Sequence, residues 1–140
     1  MSEISVSETA DLFRAGLDRL AANDLPGYLE LFSEDIEYEF PFAPAGRPQS
    51  VRGRENLRQY LEPIFARAGY DGISDLIVYE TDVNGTIVAE MTIALKMHEG
   101  DRAFSLRYIV VVHAADGRIT SYRDYWNPLG MSDQAAAGAA

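Results

Sequence analysis

A chain of 140 residues, 47% apolar and 24% charged, has the length and balance of one globular domain. Its 12 basic and 22 acidic residues give a net charge of −10, which argues against nucleic acid and anionic membrane as partners, since both need a basic footprint. The absence of cysteine excludes disulfides, thiolate catalysis and cysteine metal sites.

The N-terminal MSEISVSETADLF has neither the basic nor the apolar segment of a secretion signal. No apolar run approaches the roughly 18 residues of a membrane span. A cytoplasmic location is the resulting expectation. A first helix is expected over residues 6–22. Ser5 and Glu8 fit a capping box, and Leu12, Phe13, Gly16, Leu17 and Leu20 form one apolar face. Asn23-Asp24 breaks that helix. Asp24 can cap a second, short one with Pro26 in its first turn, running to about Phe32 and closed by Ser33-Glu34-Asp35. IEYEFPF (36–42) alternates as a strand, with Pro41 near its exit. APAGRPQSVRG (43–53) reads as a Pro/Gly loop. A third helix follows from Arg54 to Ala68, with Leu57, Tyr60, Leu61, Ile64 and Phe65 as its apolar positions and a kink or break expected near Glu62 because of Pro63.

The second half alternates. Residues 76–83, 86–97, 102–113 and 118–128 read as strands, joined by Asn84-Gly85 and by two further Gly-containing turns. Two of these strands run about twice the usual 5–6 residues and must twist and bend. A long bent sheet with helices on one side encloses an interior. The tail MSDQAAAGAA (131–140) is read as a disordered end, leaving 1–130 as one domain.

LFSEDIEYEFP, VRGRENLRQYL and DGRITSYRDYWNP, in this order and spacing, resemble the nuclear-transport-factor-2-like superfamily. That superfamily includes ketosteroid isomerase, limonene epoxide hydrolase and the SnoaL-like polyketide cyclases. The resemblance implies an α+β fold: a cone-shaped, strongly curved, mostly antiparallel sheet on three N-terminal helices, with an interior pocket. It also implies a homodimer through the sheet's outer face. The catalytic sets of the better-defined members are incomplete. Phe40, Ile109 and Gly16 occupy the positions of the isomerase's two aspartates and tyrosine. Met91 and Ile93 replace the hydrolase's Arg-x-Asp pair, while Asp124 matches its last-strand aspartate.

The resemblance also sets which strand face points inward. In 118–128 it is Tyr122, Asp124 and Trp126; in 102–113, Ser105, Arg107, Ile109 and Val111; in 86–97, Met91, Ile93, Leu95 and Met97; in 36–42, Tyr38 and Phe40. Asp124 is the inward carboxylate and Arg107 its candidate partner. If they pair, Asp124 stays ionised; if not, burial raises its pKa toward that of a general acid or base. The reading is a small enzyme acting on a hydrophobic, ring-containing metabolite such as a polyketide, terpenoid or steroid. It would isomerise, cyclise, dehydrate or open an epoxide. Asp124 and Tyr38 are its expected catalytic groups. Arg107, Tyr122, Trp126, Phe40, Met91, Ile93, Ile109 and Leu61 are its expected substrate contacts. No cofactor is implied. No metal is expected either, since His98-Glu99 is followed by Arg102 where His-Glu-x-x-His needs its second histidine. The alternatives are a non-catalytic ligand-binding protein and a dimeric interaction module.

Overall fold

A computed structural model describes residues 5–100 and 102–127. The segment expected to be a disordered tail lies outside them. Helix α1 spans Val6–Ala21, and the Ser5 hydroxyl accepts a hydrogen bond from the Glu8 amide at 3.2 Å, so the predicted cap forms. Helix α2 (Leu25–Leu29) is capped by Asp24, whose Oδ1 accepts from the Gly27 amide at 3.0 Å. A Cβ at Gly27 would fall 2.1 Å from Asp24 Oδ2, so any larger residue there must displace the capping carboxylate. Helix α3 (Arg54–Arg67) runs through Pro63 without the expected break. Pro63 is exposed, so its ring meets solvent rather than the core.

The strands are β1 (Phe32–Glu39), β2 (Ser50–Arg52), β3 (Ala68–Glu80), β4 (Thr86–Met97), β5 (Ala103–Ala115) and β6 (Arg118–Trp126). They form one six-stranded sheet in the order β2-β1-β6-β5-β4-β3, antiparallel except for the β1–β6 pair. The sheet is open and curved, consistent with the expected cone. The helices cover its concave face, and Phe13, Phe32, Ile36, Leu57, Ile87, Met91 and Ile119 are fully buried between the layers.

Four boundaries differ from the sequence reading. α2 ends at Leu29, and β1 begins at Phe32 rather than residue 36. The Ser33-Glu34-Asp35 run is a strand segment because Phe32 pairs with Ile119 on β6 and both side chains are buried. β2 forms inside the expected loop, pairing Ser50–Arg52 with Glu37–Glu39. β3 starts at Ala68, directly after α3, and reaches its partner only through register shifts at Tyr70/Gly72 and Ser74/Ile77. Those irregularities break the period-2 pattern by which a strand is recognised.

The most consequential irregularity lies in the β5–β6 hairpin. Ala115 pairs with Arg118 and Ala114 with Ile119, but the next pair is His113 with Ser121. Thr120 is an extra residue, and its hydroxyl donates to the His113 carbonyl at 3.3 Å. Beyond this bulge Tyr122 faces Val112, Asp124 faces Val110 and Trp126 faces Tyr108. Without it, Asp124 would face Ile109 and Trp126 would face Arg107. The expected inward set of β5 is therefore corrected. Leu106, Val110, Val112 and Ala114 are buried and Tyr108 lines the interior, while Ser105, Arg107 and Ile109 are exposed on the outer face.

Candidate active site

The concave side of the sheet and the three helices enclose a cavity of about 210 Å³. Eight of the ten expected site residues line it: Asp124, Tyr38, Tyr122, Trp126, Phe40, Met91, Ile93 and Leu61. Arg107 and Ile109 do not. The Arg107 guanidinium lies on the outer face, donating to Thr92 Oγ1 at 2.9 Å and to Glu90 Oε1 at 3.3 Å, with Asp75 Oδ2 at 3.7 Å. The Thr120 bulge is the reason, because it puts β5's other side chains beside Asp124.

Asp124 therefore has no arginine from β5. Arg123 lies on the opposite face of its own strand by alternation. Asp124 Oδ1 is buried without a hydrogen-bond partner. Burial among apolar and aromatic side chains pushes its carboxyl from the usual 3.8 up to about 7. At neutral pH the group is divided between its protonated and ionised forms, as a group that exchanges a proton requires.

Tyrosines surround this carboxyl. Tyr38 and Tyr122, neighbours across the parallel β1–β6 pair, stack at 4.5 Å between ring centroids and 10° between planes. Phe32 packs edge-on against Tyr28, Tyr38 and Tyr122, holding them as one wall. The Tyr28 and Tyr38 hydroxyls are 3.3 Å apart. Tyr60, Tyr70 and Tyr108 add further hydroxyl-bearing rings to the lining. Burial raises the pKa of Tyr38 and Tyr122 well above the usual value, and the nearby Asp124 charge adds to the rise. Tyr70 is pushed up to about 12, by burial first and by Asp124 second. These phenols stay protonated at neutral pH and act as hydrogen-bond donors.

Sequence reasoning did not place Tyr28, Tyr70, Tyr108, Arg47 or Arg67 in the cavity, and it read Tyr60 only as an apolar helix position. For Tyr108 a signal was present. Leu106, Tyr108, Val110, Val112 and Ala114 form an unbroken apolar set, whereas the alternate set contains Ser105, Arg107 and His113. Among the described residues, no group of three or more His, Asp or Glu gathers as a metal site.

Residues 13–122 match the SnoaL-like domain family. The chain belongs to that family. An uncharacterised PhzA/B-like protein of Pseudomonas aeruginosa is 32% identical over 119 residues, covering 79% of each chain. The crystal structure of a candidate isomerase from Bacillus subtilis superposes with a TM-score of 0.86 at 27% identity, over 93% of this chain and 94% of that one. A candidate polyketide cyclase from Xanthomonas campestris shares the fold at a TM-score of 0.78 and 19% identity, covering 92% and 97%. The SnoaL-like family thus accounts for the helix order, the curved sheet and the enclosed cavity together.

Proposed function

We propose that this SnoaL-like protein is a small-molecule enzyme that moves a proton on a hydrophobic, ring-containing substrate held in the cone. Asp124 is the acid/base and Tyr38 donates a hydrogen bond to the oxygen on which charge develops. The observation that carries this reading is the Asp124 carboxyl, its Oδ1 buried and unpartnered, in a cavity lined mostly by aromatic and aliphatic side chains. Such a group is costly to keep unless its proton is used. A structural ion pair, the main competing role for this aspartate, has no support, because Arg107 is engaged by Glu90 and Asp75 outside.

The cavity's size narrows the ligand. A dry cavity of roughly 150 Å³ accommodates benzene, so about 210 Å³ favours one or two rings with substituents over a four-ring steroid. The chemistry that fits is removal of a proton from carbon beside a carbonyl. The carboxylate takes the proton, the enolate oxygen is held by a tyrosine O–H, and the proton returns at the same or another carbon. Isomerisation, cyclisation and dehydration share that first step.

Deuterium exchange tests this without knowledge of the native substrate. In heavy water, 2-tetralone should exchange its α-protons faster with the protein than with buffer, as followed by proton NMR. Asp124→Asn should remove about 10²-fold or more of that acceleration while leaving the ketone bound. Full acceleration in Asp124→Asn would eliminate this residue as the base.

The reading includes a homodimer formed through the outer sheet face. Ile77, Tyr79 and Ile109 are 48%, 43% and 46% exposed there, around the Arg107–Glu90–Asp75 cluster. Among the described residues no helix covers that side. A second copy of the chain, bringing the same apolar and charged groups, is the occupant that fits it.

A further inference from the structure

Two cations reach the cavity wall. Arg47 comes from the loop between β1 and β2, and Arg67 closes the last turn of α3. Both residues are exposed, so they sit at the solvent end of the lining rather than beside the buried carboxyl. Among the described residues neither has a carboxylate partner, whereas Arg19, Arg52, Arg58 and Arg107 each pair with an acid. Other arginines also lack one, so what sets these two apart is their place on the cavity wall. Arg67 also lies at the negative end of the α3 dipole. That accounts for a cation in the last turn but not for its place on the cavity wall. The Arg47 guanidinium sits close enough to the Tyr60 hydroxyl to oppose the upward push that burial gives that phenol.

The electrostatics of the cavity are therefore graded. Among the described residues Asp124 is the one acid in the lining, its Oδ1 is buried, and its charged form repels an anion. The arginines are the exposed, wetter part of the same lining. A guanidinium binds a carboxylate through two parallel hydrogen bonds, a geometry that a neutral amide cannot match.

We propose that Arg47 and Arg67 form a carboxylate-binding mouth, so that the substrate class is a cyclic carboxylic acid. Its acid group faces solvent and its ring is directed at Asp124. The proposal rests on the ligand-binding reading of the cavity and adds an orientation to it. A substrate held by its carboxylate at the mouth can present only its far ring carbons to the buried group.

Isothermal titration with 2-naphthoate and 2-naphthamide, which differ in charge but hardly in shape, tests the assignment. The wild-type protein should bind the carboxylate about ten-fold more tightly at neutral pH and low salt. The double variant Arg47→Gln/Arg67→Gln should bind both probes alike. Arg58→Gln, on the same helix but paired with Glu55 and Glu62 outside the cavity, should keep the preference. Equal binding of the two probes by the wild type, or a preference that survives in the double variant, overturns the carboxylate mouth while leaving the ring-binding cavity in place. Binding of neither probe overturns both.

Discussion

A carboxylic acid in an apolar site behaves differently on the two sides of its pKa, and Asp124 is where this protein shows that most clearly. Its folded-state pKa of about 7 lies above the 3.8 of an exposed aspartate. The folded state therefore holds a proton that the unfolded chain has released. Stability falls as pH rises from about 4 to about 7 and is level above, by at most about 4 kcal/mol for the whole interval. Asp124→Asn removes the titration but keeps the shape. Urea unfolding of both proteins from pH 4 to pH 9 should show the variant gaining on the wild type up to about pH 7, with a constant difference beyond. A difference that does not change with pH would mean that Asp124 is solvated. The same sign applies to catalysis: proton abstraction by the ionised carboxylate should rise through about pH 7 and then level off.

One inserted residue decides what surrounds that carboxyl. The Thr120 bulge shifts the β5–β6 register by one, so the β6 residues beyond it meet the other set of β5 side chains. Deleting Thr120 removes the extra residue while Ser121 still meets His113 and Asp124 still meets Val110, so the faces are kept and only the local bend is lost. The cost should be on the order of 1–3 kcal/mol. Thr120→Ala keeps the extra residue and loses only the bond to the His113 carbonyl, at about 1 kcal/mol. Thermal melts followed by circular dichroism measure both, and a deletion variant that does not fold would show that the bend itself, and not the pairing alone, is required.

This bulge also marks where the sequence stopped being readable. β4, with its turn at Asn84-Gly85 and strict alternation from Ile87 to Leu95, is found at the residues expected. α1 follows from its cap and apolar face. The inward parity of β6, β4 and β1 followed from the family resemblance, so Asp124, Tyr122, Tyr38 and Met91 were placed in the cavity. β5 was not, because parity carried back from Gly117 assumes an unbroken ladder. Its own apolar alternation, from Leu106 to Ala114, pointed the other way. β3 was half hidden for a related reason: its two register shifts scatter apolar residues over both faces. Arg47 and Arg67 had no local signature, since a loop and a helix end meet at the cavity only through the fold.

At the scale of the molecule, helices fill the concave face, and among the described residues none covers the convex face. A dimer through that face places Ile109 near the contact. Ile109→Glu leaves the buried core untouched, since the residue is 46% exposed. It should convert a dimer to a monomer in sedimentation velocity without changing the circular dichroism spectrum. A monomeric wild type would refute the interface.

The convex face is not the only place where a second chain could attach, because an open sheet also has two borders. β2, at one border, is three residues long. β3, at the other, is thirteen residues long, a length that would invite a stray strand to add on. Its irregularities prevent this. The register slips at Tyr70/Gly72 and Ser74/Ile77, and Asp75 adopts a positive φ of 55°. No long straight row of backbone donors and acceptors remains along that border, and the exposed carboxylates of Asp71 and Asp75 repel a like-charged neighbour. The kinks that hide β3 in the sequence thus guard the sheet's flank against strand-by-strand polymerisation.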